Sequence, residues 1–199
     1  WAATGGLVGN RPLICGGSIG SSNYQKSCYS LKEDGAWKLE ASSDLNTARS
    51  HAANGDVIMN NKLVLAGGID NGWNELATIE VVAPNTKSET LPISLPVGMY
   101  ASCIVPWDTN TFMIIGGENG GARKQTYFVD MNNNAYTNGP NLLAGRYYFA
   151  CHTMKVNGED FVIATGGSGG SFGSGTSTEY LQRANWKSGW KRSKNLIRQ

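Results

Sequence analysis

Four Gly-Gly pairs divide the chain at almost constant intervals, and each follows a short apolar run. Leu13-Ile14-Cys15 precedes Gly16-Gly17, and Leu63 to Ala66 precedes Gly67-Gly68. Phe112 to Ile115 precedes Gly116-Gly117, and Phe161 to Thr165 precedes Gly166-Gly167. The second glycines stand 51, 49 and 50 residues apart. Self-similarity at such a period marks a repeat architecture, in which one unit cannot bury its apolar face alone and stacks on its neighbours. The repeat outranks the one-or-two-domain expectation that 199 residues would otherwise set.

Composition agrees with many tight turns. The chain holds 26 glycines and only 16% charged residues, which suits an all-β fold. A net charge of +2 gives no footprint for nucleic acid or acidic lipid. The one dense basic run, Lys187 to Arg198, reads as a solvated strand and linker. No apolar run reaches the roughly 18 residues of a transmembrane helix, so no membrane span is expected. No Asn-x-Ser/Thr sequon is present.

The second repeat shows the unit most fully. His51 to Ile58 carries small and apolar side chains suited to a crowded first strand. Asn60-Asn61 turns the chain, because asparagine readily takes positive φ. Lys62 to Ala66 is the second strand, and a polar loop from Ile69 to Glu75 follows the doublet. Ala77 to Val82, rich in β-branched residues, is the third strand. Pro84-Asn85 turns into a fourth strand at Ser88 to Leu91, and Pro92 and Pro96 bracket the passage onward. In the other repeats the second turns fall at Glu33-Asp34-Gly35, Asn132-Asn133-Asn134 and Arg183-Ala184-Asn185. Aromatics begin the fourth strand at Trp37, Tyr136 and Trp190, where large rings cover contacts between sheets. Paired glycines belong where two sheets approach too closely for a Cβ.

The doublet, the strand-three aromatic (Tyr29, Phe128, Tyr180) and a Trp about 20 residues past the doublet resemble a kelch repeat over essentially the whole chain. The resemblance implies a kelch-type β-propeller: four-stranded blades around a central channel, strand one innermost and strand four outermost. It sets one propeller region over 1–199, with blades near 1–42, 46–92, 97–140 and 145–194. A first strand is already under way at Trp1. Asn195 to Arg198 echoes the stretches Asp44 to Arg49 and Asn141 to Arg146 that lead into new repeats. Kelch rings more often resemble six blades, so the four here are expected to be part of a larger ring, with a closed ring of four, the smallest usual size, as the alternative. The rest would lie in the same polypeptide or in a second subunit.

Cys15 and Cys28 fall on adjacent strands of one blade, where a cross-strand disulfide is geometrically feasible. They resemble the ICGG…CY pairs of secreted kelch-like proteins, which implies an oxidising, extracellular setting. An intracellular kelch adaptor is the alternative. Cys103 and Cys151 occupy nearly equivalent places in consecutive repeats and are expected to stay as small buried thiols, because equivalent strands of neighbouring blades seldom come within disulfide reach.

Chemical motifs are sparse. Galactose-oxidase-like propellers imply a copper site of two His, two Tyr and a Cys. This chain offers His51 and His152, two repeats apart, with Tyr29, Tyr100 and Tyr147, and no recognisable ligand spacing. Asp130-x-Asn132-x-Asn134 opens like a calcium loop, but Ala135 replaces the required Gly and Asn141 the closing Glu. Gly166 to Gly175 lacks the Lys-Ser/Thr of a phosphate loop and reads as a long strand-two-to-three loop with Phe172 near its tip. No metal, cofactor or enzymatic activity is expected.

Propellers use loops at one face, held by rigid sheets. Here these are Ser18 to Tyr24, Ile69 to Glu75, Glu118 to Gln125 and Ser168 to Ser177. Trp73, Tyr100, Arg123 and Phe172 are the residue types that anchor interfaces. Arg49 and Arg146, at the blade connections, either join that face or satisfy backbone carbonyls. The expected function is binding a protein partner, which the sequence does not name. Assembly through open blade edges and a copper-dependent propeller are the alternatives.

Overall fold

Hairpins form where the sequence supplies residues that tolerate left-handed backbone. Asn60 and Asn61 have φ of 49° and 59°, and Asn157 and Gly158 have 50° and 86°. Both pairs make the primed two-residue turns that match strand twist. The computed structural model describes residues 2–21, 23–31, 34–39, 43–55, 57–169 and 175–193. Among them, four four-stranded antiparallel sheets follow one another along the chain, and helix is almost absent. Sheet I holds β1 (Thr4–Val8), β2 (Arg11–Cys15), β3 (Cys28–Leu31) and β4 (Trp37–Leu39). Sheet II holds β5 (Ile58–Met59), β6 (Lys62–Ala66), β7 (Thr78–Val82) and β8 (Glu89–Ser94). Sheet III holds β9 (Cys103–Pro106), β10 (Thr111–Ile115), β11 (Thr126–Asp130) and β12 (Ala135–Asn138). Sheet IV holds β13 (Ala150–Val156), β14 (Glu159–Thr165), β15 (Thr178–Gln182) and β16 (Lys191–Arg192). In every sheet the strands pair in chain order.

The sheets pack face to face in a row. Leu13 and Cys15 of sheet I meet Leu63, Leu65 and Val82 of sheet II. The opposite face of sheet II, with Val64, Ile79 and Val81, meets Phe112, Ile114 and Val129 of sheet III. Met113 and Ile115 of sheet III then meet Val162, Ala164 and Leu181 of sheet IV. Alternation along each central strand sends successive side chains to the two neighbours.

The glycine doublets sit at these junctions, all eight with positive φ. The Gly16 and Gly116 N–H groups donate to Ser27 and Gln125 within their own sheets. Gly17, Gly68 and Gly117 donate to the carbonyls of Arg49, Met99 and Arg146, the residues that lead into the next repeat (2.8–2.9 Å). A Cβ on Gly16 or Gly116 would lie 2.7 Å from the Arg49 or Arg146 carbonyl oxygen, and on Gly67 it would strike that of Met99.

Several local expectations need correction. The first strand expected at His51 to Ile58 is regular only at Ile58–Met59. Upstream, the backbone turns away to pair with sheet III: Asn54 N–H donates to Ser102, and Ile104 N–H donates back to Asn54 (2.8 and 2.9 Å). Pro92 does not end the fourth strand but lies within β8, the outer strand. There its missing N–H is tolerated, and the β7–β8 register shifts between Thr78 and Glu80. Arg183-Ala184-Asn185 begins a 3-10 helix, Arg183–Ser188, rather than a tight turn. Of the outer aromatics only Trp190 is buried, donating from Nε1 to the Pro140 carbonyl (2.9 Å); Trp37 and Tyr136 are exposed. Part of the turn at Glu33 lies outside the described residues, as does the echo at Asn195 to Arg198.

Cys15 and Cys28 form a disulfide between registered residues of β2 and β3 (Cα–Cα 4.1 Å). Cys103 and Cys151, expected as thiols, also form one (Cα–Cα 6.0 Å). The reason is a backbone ladder between first strands. His51 N–H donates to Ala2, Ala101 to His51 and Tyr148 to Ala101 (3.3, 2.9 and 3.0 Å). All four residues are left-handed, with φ between 51° and 59°. This ladder draws Cys103 and Cys151 together only two and three residues further on. No helix among the described residues is long and apolar enough to cross a membrane.

Candidate functional site

Backbone bridges bring the loops and the lead-in segments to one end of the sheets. Ser50 pairs with Ile69, Tyr100 with Glu118 and Tyr147 with Ser168. Bridges Ser18–Tyr24 and Ile69–Glu75 close two of the loops at the residues where the sequence placed their ends. In the third, Glu118 bridges Ala122, which makes that turn tighter than Glu118 to Gln125.

Trp73 stands at the tip of the β6–β7 loop with φ 62° and 62% exposure. The loop is shaped by Asp70, whose Oδ1 accepts from the Gly72 and Asn74 N–H groups (2.8 and 3.0 Å). Bonds from Asn74 hold the Asp70 carboxyl below the usual range. Trp73 meets Tyr24 of the preceding loop edge to face at 5.9 Å. Asn71 ties the same two loops together: its Oδ1 accepts from the Tyr24 N–H (2.6 Å).

Tyr100 belongs to a second aromatic group with His51 and Tyr148. Ring centroids are 6.2 Å apart for His51–Tyr100, 5.5 Å for His51–Tyr148 and 6.3 Å for Tyr100–Tyr148. Tyr147 packs against Tyr148 at 5.4 Å. Burial, then the neighbouring Glu118, holds the Tyr100 hydroxyl far above the usual phenol range. The same causes raise Tyr148, and burial pushes the His51 imidazole down. Tyr148, 54% exposed, went unselected from sequence. Its signal was the doublet Tyr147-Tyr148 at the place held by Ser50-His51 and Tyr100-Ala101.

The two arginines are internal. Arg49 is 1% and Arg146 2% exposed. Arg49 Nη1 donates to the Gly67 and Thr78 carbonyls (2.8 and 3.1 Å), and Nη2 meets Glu80 Oε1 at 2.5 Å. Arg146 repeats this with Gly166, Ser177 and Glu179 (3.0, 3.1 and 2.6 Å). Each glutamate also accepts backbone N–H groups from the preceding connection: Asn46 and Thr47 for Glu80, Leu143 and Ala144 for Glu179. Of the two roles left open, satisfying carbonyls is the one observed. Arg123 is half-buried; its backbone N–H donates to Gly117, its carbonyl accepts from Arg146, and its buried Nε has no acceptor among the described residues. Phe172 lies outside the described residues.

His51 and His152 are not brought together: His152 lies in β13 opposite Ile163, on an exposed side of sheet IV. Among the described residues no three His, Cys, Asp or Glu side chains cluster closely enough to hold a metal ion. A cleft of about 1150 Å³ runs beneath the aromatic group, lined by Thr4, Ile14 and Trp37 of sheet I, His51, and Tyr148 and Phe149 at the start of sheet IV.

Among the described residues, the two end sheets each carry an uncovered apolar face. On sheet I, Leu7, Ile14, Tyr29, Trp37 and Leu39 share one side and are 38–57% exposed. On sheet IV, Met154 and Val156 are exposed on the side where Phe161, Ile163 and Tyr180 are half-buried. No protein-family model matches the chain, and no curated protein matches it.

Proposed function

We propose that the chain is part of a kelch-type propeller that binds a protein partner through the loop end of its blades, in an extracellular setting. The observation that carries this reading is the concentration of aromatic side chains there. Trp73, backed by the buried Tyr24 of a tied loop, and Tyr100, Tyr147 and Tyr148 on the lead-in segments stand on backbone held by hydrogen bonds between loops, lead-in segments and sheets. Rigid, amphipathic rings on a firm scaffold bind at low entropic cost. Two disulfides in a chain of four cysteines support the oxidising setting.

A second reading, assembly through the end faces, is favoured by a different observation. Tyr29 on the open face of sheet I occupies the position held in sheets II, III and IV by Glu80, Tyr127 and Glu179, as the registers to Ile14, Leu65, Ile114 and Ala164 show. In those three sheets a preceding sheet covers this face. On sheet I the corresponding cover would be another blade.

The two readings separate in one experiment. Partners captured from the extracellular medium are compared for the natural chain, Trp73→Ala with Tyr147→Ala, and Ile14→Glu with Trp37→Glu. Loop binding predicts that the first pair of substitutions abolishes capture without lowering the unfolding midpoint. Capture that survives it and is lost with the second pair overturns loop binding in favour of assembly.

A further inference from the structure

We propose that the corner formed by His51, Tyr100 and Tyr148 is a subsite for an alkylammonium group carried on a side chain of the partner, an inference that rests on the protein-binding reading above. The three centroids form a nearly equilateral triangle, 5.5–6.3 Å on a side, and the rings stand at 62°, 68° and 79° to one another. The rings meet edge to face, and a cation seated over the mouth of the three lies within the ~6 Å over which the π attraction acts. Tyr147 extends the wall beside Tyr148.

The surroundings favour positive over negative charge. Glu118 is paired to Tyr100 by two backbone hydrogen bonds (3.2 and 2.8 Å), which sets the two residues side by side. It lies near enough to Tyr100 and Tyr148 to raise both phenols, and Glu75 acts on Tyr100 in the same sense. The arginines that lead into sheets II and IV do not oppose this, since each is buried and paired to Glu80 or Glu179. Burial pushes the imidazole of His51 down, which favours the uncharged ring over a competing cation.

The corner is also rigid. His51 and Tyr148 hold φ of 53° and 51°, conformations that non-glycine residues adopt only when the surroundings over-determine them. Here the inter-sheet ladder does so. The cleft beneath, to which His51 and Tyr148 both contribute, is lined by Ala2, Ile14, Phe149 and Ala150. It offers apolar surface for the methylene stem or methyl groups of the cation.

The test needs no partner. Ring-proton shifts of the whole chain are followed by NMR during titration with tetramethylammonium chloride, with sodium chloride at equal ionic strength, and with tert-butanol as the neutral analogue of similar shape. The expected result is a saturable shift with tetramethylammonium, at least about tenfold weaker binding of tert-butanol, and a three- to tenfold loss in both Tyr148→Leu and Glu118→Gln. A peptide bearing trimethyllysine binds more tightly than the free ion. No saturable shift, or equal binding of the alcohol, overturns the subsite. A peptide no tighter than the free ion overturns its assignment to a partner side chain. Loss of partner capture in the Trp73 and Tyr147 variants alongside a failed titration would leave the protein-binding reading standing and remove only the subsite.

Discussion

At the scale of single residues, the same junction is solved in two chemistries. Between sheets I and II, and again between III and IV, a buried arginine meets a buried glutamate. Between II and III the matching positions hold Met99 and Tyr127, both within the apolar core. Removing one member of a buried pair strands a charge and costs about 3–5 kcal/mol, whereas replacing both by apolar groups can be nearly neutral. Glu80→Ala is therefore expected to lower unfolding stability by about 3–5 kcal/mol in urea titration. Arg49→Met combined with Glu80→Tyr, which copies sheet III, should lose less than half the sum of the two single losses. Additive losses would show that the pair is not the unit. Arg49 and Arg146 stand out in the sequence, but a surface anchor and an internal clasp look alike there, because the deciding partner lies over 30 residues away in the strand pairing. Tyr148 escaped for the converse reason: its place in the aromatic corner depends on where His51 and Tyr100 arrive across two sheets.

At the scale of elements, local signals were legible and junction geometry was not. The doublets, the asparagine turn and the limits of two loops follow from backbone conformations that particular residues prefer. Pro92 inside β8 and the interrupted first strand of sheet II do not, since each is decided by pairing with another strand. The Cys103–Cys151 bridge belongs to the second group. It spans 48 residues and ties two sheets, whereas Cys15–Cys28 spans 13 within one hairpin. Closing the longer loop restrains the unfolded chain more, by roughly 4 kcal/mol against roughly 3. Paired Cys→Ser variants of each bridge, compared by denaturant unfolding, should show the larger loss for Cys103 and Cys151. The reverse order would mean that the ladder already holds β9 and β13 together without the bond.

At the scale of the whole molecule, among the described residues each inner sheet is covered on both faces and each end sheet on one. Contiguous exposed apolar area of this kind marks a contact surface. On the assembly reading, light scattering gives a mass above that of one chain, falling to one chain with Ile14→Glu and Trp37→Glu. A single-chain mass for the natural sequence would mean that these faces are self-sufficient in water. The two end faces are also unlike: sheet I presents Tyr29, Trp37 and Leu39, and sheet IV presents Met154 and Val156. Contact between unlike faces has no two-fold axis. It is heterologous, so the angle between successive sheets decides whether copies close into a ring of fixed number or grow without limit as a filament.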